Sequence, residues 1–181
     1  HLGLVKTLLE RGLLPAHVHG ASGGALVASF VCTRTEHELR SVLNRPDLLS
    51  KVFDPCGGRS YFGLAMHLFR HGTVFSPAEW TAKMRAKVCG DLTFKEAFER
   101  TGRSLTIQVF DGNRQTRALN YVTAPDVVIH SAVLASSAIP GLLPGIQLLR
   151  KRPNGVVEPY FFGLGFRDGS FEKELPFEAL A

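Results

Sequence analysis

Cysteine is scarce in this 181-residue chain, with three residues at Cys32, Cys56 and Cys89. They are odd in number and far apart, and none forms a Cys-x-x-Cys pair. Neither a disulfide framework nor a zinc site is indicated, and reduced thiols are expected. Long apolar runs are missing too. The longest, Ala25–Cys32, falls far short of the roughly 20 residues that a membrane span requires. No secretory h-region opens the sequence, so a soluble or peripheral chain is expected. Charged residues make up 20% and apolar ones 45%, ordinary globular values that argue against disorder. No internal repeat, linker or low-complexity stretch is present, and the length suits one domain able to bury its own core.

Acidic residues are outnumbered, leaving a net charge of +5. Part of the excess is local, at Arg150-Lys151-Arg152. A solvated loop explains such a patch, and an anionic lipid or nucleic-acid surface is the alternative. No RRM, KH or zinc-finger pattern supports nucleic acid.

Apolar spacing at Leu2, Val5, Leu8 and Leu9 predicts an opening helix that Gly12 stops. A short strand, His17–His19, leads to Ser22, and Gly23–Cys32 reads as a central apolar helix. Thr35–Glu38, Ser76–Glu79 and Thr93–Glu96 each match the capping box, with Pro77 at the favoured first helical position. Phe53–Gly58 reads as a loop and Tyr61–Phe69 as an amphipathic helix. Strands are expected at Ser104–Phe110 and Arg117–Val122, joined by a turn at Asp111-Gly112-Asn113. A helix over Pro125–Ser137 and a strand over Pro159–Phe166, running into Arg167-Asp168-Gly169-Ser170, complete the series. The alternation predicts an α/β sheet with helices on both faces.

Gly20-Ala21-Ser22-Gly23-Gly24 stands at the corner between strand and helix. Gly-x-Ser-x-Gly in that setting is the pattern of a nucleophile elbow. A tight turn strains the serine backbone and lifts its oxygen clear of the sheet. Glycines two residues away on either side avoid collisions with helix and strand. The helix N-terminus behind Ser22 favours an oxyanion nearby.

A serine nucleophile needs a base. The histidines are His1, His17, His19, His37, His67, His71 and His130; none follows Asp168, and none between Ser22 and His130 sits in a convincing strand-end loop after an acid. The chain therefore does not supply a Ser–Asp–His order. His17 and His19 read as packing or edge residues of the strand. His67 and His71, spaced i, i+4, have no acidic or cysteine neighbour to complete a metal site and read as one helix face. Asp168 is the best remaining base, since it closes an aromatic strand in a tight turn, where α/β proteins place ligand-handling groups. A carboxylate within hydrogen-bond reach can take the proton directly. An ordinary Asp-Gly turn is the alternative.

Gly-x-Ser-x-Gly early and Asp-Gly late together resemble the patatin-like phospholipase family, which uses a Ser–Asp dyad. The stretches HLGLVKTLLERGLLP, HGASGGALVASF, GDLTFKEAFERTGRSLTI, LNYVTAPDVVIHSAVLASSAIPGLLP and FRDGSFEKELPFEAL look like its triacylglycerol-lipase branch, the lipases of yeast lipid droplets and plant storage oil. The resemblance implies a three-layer α/β sandwich with a mostly parallel sheet. It implies Ser22 as nucleophile, Asp168 as base, Gly20, Gly24 and Gly169 as motif glycines, and Gly23 as an oxyanion donor. Hydrolysis of acyl esters without metal or organic cofactor follows, with triacylglycerol as first-choice substrate. So does a cytoplasmic protein peripheral on a lipid droplet or membrane, with no nucleic-acid partner.

In the family a glycine-rich loop before the HLG helix forms the oxyanion hole, and the domain continues after the aspartate. Residues 1–181 are thus expected to be part of one patatin-like domain. Asp168 is followed by Gly-Ser rather than Gly-Gly or Gly-Ala. Phe62, Leu64, Phe69, Leu142, Leu143, Leu148, Leu149, Phe161 and Phe162 are candidates for core or for an acyl groove. The same dyad would also serve a phospholipase A or an acyltransferase, and a non-catalytic lipid-surface scaffold is the reading from outside enzymes.

Overall fold

The computed structural model describes residues 2–45, 76–110, 116–138 and 146–160. The expected loop at Phe53–Gly58, the helix at Tyr61–Phe69, the turn at 111–113 and the whole Asp168 segment lie outside the described residues. Helix α1 (Leu2–Glu10) ends as its sequence predicts. Gly12 takes φ 67°, Leu13 N–H donates to Leu8 C=O at 2.8 Å, and Gly12 N–H donates to Leu9 C=O at 3.2 Å. This pair of bonds is a Schellman stop, which needs a left-handed residue and so favours glycine.

Strand β1 (His17–Gly20) is followed by α2 (Gly23–Cys32) and α3 (Glu36–Leu43). Then come α4 (Pro77–Lys87), α5 (Phe94–Thr101), β2 (Ser104–Phe110) and β3 (Thr116–Leu119). Helix α6 (Ile129–Ser136), β4 (Leu149–Lys151) and β5 (Val157–Pro159) complete the described elements. The fold class is α/β, with a mixed sheet in the order β1-β2-β3. The β1–β2 pair is parallel, running from His17↔Ser104 to Gly20↔Ile107, and the β2–β3 pair is antiparallel. Strands β4 and β5 form a separate antiparallel pair.

Leu105, Ile107 and Val109 of β2 are all buried, the period-2 pattern of a strand facing a core. Helix α2 packs on β1 and β2, and α6 on β2, α2 and α4. All eight residues of α6 are buried. A helix with little amphipathic contrast belongs inside the molecule, and α6 is the inner helix behind the central strand.

Two of the three expected capping boxes form. Thr35 and Thr93 each accept from the N–H three residues on, and Glu38 and Glu96 reach back to the cap amides at 2.8 Å. Ser76 is an N-cap followed by Pro77, but its side chain makes no cap hydrogen bond.

Two expected elements are shorter in the structure. The strand read over Arg117–Val122 stops at Leu119 because the Asn120 side-chain oxygen accepts from the Val122 and Thr123 amides at 2.9 and 3.0 Å. That local turn competes with the ladder. The helix read from Pro125 begins at Ile129, since Val127 and Val128 bridge to Arg150 and Thr93 in extended backbone. Of the strand read over Pro159–Phe166, only Pro159 falls within β5, and residues 161–166 lie outside the described residues.

The half-buried Arg34 joins two helix ends. The Arg34 guanidinium lies 3.9 Å from the Phe30 ring centre and donates to the carbonyls of Phe30, Lys87 and Val88. These are the C-terminal ends of α2 and α4, where positive charge is favoured. Among the described residues, no helix is long and apolar enough to cross a membrane.

Candidate active site

Between the end of β1 and the start of α2 the chain has two residues, Ala21 and Ser22, in which to reverse from sheet to helix. Ser22 absorbs the turn with φ 50° and ψ −124°. Among the described residues it alone, glycines aside, has a positive φ. For a residue with a Cβ this region is sterically unfavourable, and it persists where surrounding structure enforces it.

Gly20 shows what does the enforcing. A Cβ built there would stand 2.5 Å from the Gly24 carbonyl carbon and oxygen and 2.7 Å from the Ala25 nitrogen. The strand end rests directly on the first turn of the helix, at a distance that only glycine permits. At Gly24, by contrast, a Cβ would meet nothing within 4 Å among the described residues. Among the described residues the close approach is one-sided, because Gly20 faces the helix backbone while a Cβ on Gly24 would meet none of them.

Ser22 is half-buried, and among the described residues its hydroxyl makes no hydrogen bond. The neighbouring Gly23 N–H, at the first position of α2, also lacks a partner among them. The Ser22 N–H is held, donating to the Ser136 hydroxyl at 2.9 Å. Ser136 in turn donates to the Gln108 carbonyl at 2.6 Å. Among the described residues the corner thus presents an unpartnered hydroxyl beside an unpartnered amide at the positive end of a helix. That arrangement suits attack on a carbonyl and stabilisation of the resulting oxyanion. Ser136 escaped the reading of the sequence, whose only hint was a hydroxyl at the end of a largely apolar helix that also carries His130 and Ser131.

Among the described residues, no histidine is bonded to this serine. His17 and His19 are exposed on β1, which borders the sheet among the described residues, and His37 is exposed on α3. His130 is buried on α6 with its Nε2 3.2 Å from Asp91 Oδ1. His130 lies six positions before Ser136 along the helix, about 9 Å at 1.5 Å per residue. Burial pushes its imidazole below the usual range, partly offset by attraction to Asp91. Its Nδ1 is buried without a partner among the described residues. Arg85 grips Asp91 through two bonds of 2.7 and 2.6 Å and holds that carboxyl below the ordinary range. Asp168 and Gly169 lie outside the described residues, as do His67, His71 and Cys56.

The remaining candidates resolve into structural roles. Cys32 and Cys89 are free and buried, and burial pushes each thiol up to about 12, which makes them inert as nucleophiles. Among the described residues no group of three His, Cys, Asp or Glu side chains converges to hold a metal. The basic cluster is not a loop. Arg150 and Lys151 belong to β4, Arg150 and Arg152 pair with Glu158 at 2.6 and 2.8 Å, and Lys151 pairs with Glu96 at 2.8 Å. Leu148 is fully buried core. A cleft of about 530 Å³ lined by Arg34, Lys87, Val88 and Arg100 excludes Ser22. Arg34 is spent on backbone carbonyls, Arg100 on Glu38 and Arg85, which also lines it, on Asp91.

A family model described as patatin-like phospholipase matches residues 1–181. Three fungal relatives carry the description patatin-like phospholipase domain-containing protein. The Yarrowia lipolytica protein is 38% identical over 185 residues, covering 99% of this chain and 22% of its own length. That of Coccidioides immitis is 41% identical over 182 residues, covering 99% and 24%. That of Neurospora crassa is 44% identical over 183 residues, covering 99% and 21%. The chain spans less than a quarter of the length of these relatives.

Proposed function

The chain belongs to the patatin-like phospholipase family, and on that premise we propose that it carries the nucleophile of a lipid acyl hydrolase. The observation that supports this reading is Ser22 at φ 50°, with its hydroxyl unbonded among the described residues and the Gly23 amide beside it. Strain of this kind is stored where the surrounding fold over-determines it, which is characteristic of reactive sites.

The mechanism has two halves. Asp168 takes the Ser22 proton as Oγ attacks the ester carbonyl, and the Gly23 N–H helps hold the oxyanion. Collapse breaks the ester bond, the leaving alcohol takes the proton from Asp168, and an acyl-serine remains. Water then gives a proton to the same carboxylate and attacks. The fatty acid departs, and Ser22 regains its proton. Stored triacylglycerol, met at a droplet surface, is the proposed substrate, and a phospholipid is the alternative for the same dyad.

A fluorophosphonate probe on the full-length protein tests the reading. Labelling should vanish in Ser22→Ala and fall by about 10³-fold or more in Asp168→Asn, the scale on which loss of a serine's base is felt. Labelling that persists in Ser22→Ala refutes it. Fatty-acid release from triolein against phosphatidylcholine assigns the substrate.

A further inference from the structure

The phase of the β1–β2 ladder singles out Ser136. In a parallel pair, a bonding residue donates to the carbonyl one place before its partner and accepts from the N–H one place after it. Ser104 is partnered with His17, and its N–H donates to the Ala16 carbonyl at 2.8 Å. That bond sets the alternation, so Ser104, Thr106 and Gln108 are the residues of β2 whose backbone groups face β1. The last pair is Gly20↔Ile107. One step further, Gln108 stands against Ala21, and its carbonyl is aimed at the N–H of Ser22. The Ser136 hydroxyl occupies the space between them, accepting from Ser22 at 2.9 Å and donating to Gln108 at 2.6 Å. A side-chain oxygen from α6 is spliced into the first ladder position beyond the paired strands.

We infer that Ser136 is a positioning residue for Ser22, an inference that rests on the reading of Ser22 as the nucleophile. A direct bond to Gln108 would draw Ser22 into the ladder with extended backbone and turn its side chain onto a face of the sheet. The inserted hydroxyl satisfies both backbone groups while keeping them apart, so the chain leaves the sheet at Ser22 with φ 50°. The relay has one polarity, because the single Ser136 proton is committed to the Gln108 carbonyl and only a lone pair is left for the Ser22 amide. Its anchor is firm, since Ser136 has no exposed surface and sits on a helix that is buried throughout.

The same helix supplies a control. Ser131 is also buried, accepts from the Leu149 N–H at 3.0 Å and donates to the Val128 carbonyl at 2.7 Å. It ties β4 to the helix start and does not touch Ser22.

The experiment compares Ser136→Ala, Ser136→Cys and Ser131→Ala in the full-length protein, using a soluble p-nitrophenyl ester, a fluorophosphonate and thermal unfolding. Ser136→Ala should lower kcat by about 10–100-fold, the cost of a misplaced reacting group. KM should stay within about twofold, and phosphonylation should slow in parallel. Ser131→Ala should lose comparable thermal stability and keep its kcat. Ser136→Cys, nearly isosteric but a weak hydrogen-bonder, should fall between, and it decides the matter if the alanine variant does not fold. Wild-type kcat in the Ser136 variants, or equal kcat losses in the Ser136 and Ser131 variants, overturns the inference and leaves the nucleophile reading intact. Wild-type protein that hydrolyses the ester without labelling at Ser22 overturns both.

Discussion

Gly20 and Gly24 meet across the corner of the molecule, with a Cβ on Gly20 falling 2.5 Å from the carbonyl carbon and oxygen of Gly24. The contact is backbone against backbone, so neither side can move aside as a flexible side chain would. It lets β1 end and α2 begin within two residues, and it leaves Ser22 no relaxed conformation.

Substitution separates the two glycines. Gly20→Ala should destabilise the fold by about 1–3 kcal/mol, as overpacking does, and abolish fluorophosphonate labelling. Gly24→Ala should be neutral or stabilise by up to about 1 kcal/mol, because it reduces the freedom of the unfolded chain without a clash among the described residues. Urea unfolding and probe labelling measure both. A harmless Gly20→Ala contradicts the packing described.

The helix caps offer a second contrast. Thr93 is buried and takes part in a complete capping box, whereas Ser76 makes no side-chain cap bond. Thr93→Ala should cost about 0.5–2 kcal/mol. Ser76→Ala should stay within about 0.5 kcal/mol. Equal losses in urea unfolding would show that Ser76 is bonded in solution.

Acid sensitivity should trace to His130. Burial holds its imidazole below the ordinary value of 6.5, so the unfolded chain binds a proton more readily than the folded one. The stability it contributes is therefore complete above about pH 6.5 and is lost as pH falls through the lower folded value, at no more than about 1.4 kcal/mol per pH unit. Asp91 and Arg85 face the same imidazole, but Asp91 is held low by Arg85 and titrates below this window. Urea unfolding at pH 8 and pH 5 should show the loss in wild type, and His130→Gln should flatten it. An unchanged pH dependence in that variant would assign the effect elsewhere.

Local chemistry was legible along the chain. The Thr35 and Thr93 caps, the Gly12 stop, β2 with its alternating Leu105, Ile107 and Val109, and the strand–serine–helix corner all depend on residues within a few positions of one another. Spacing alone carries such features. Errors arose where a distant segment competed. Val127 and Val128 left the helix predicted for them because Arg150 and Thr93 offered extended partners.

The sequence by itself determined that Ser22 stands at a corner with glycine behind it and an apolar helix ahead. Only the tertiary structure decided how that corner is held. Ser136 reaches Ser22 across 114 residues, and nothing in its own neighbourhood of alanines, leucine and serines marks it for that place. Its role exists because α6 packs behind β2 and brings one hydroxyl to the point where the ladder ends. That a Cβ on Gly20 would fall onto the backbone of Gly24 is likewise set by packing rather than by spacing.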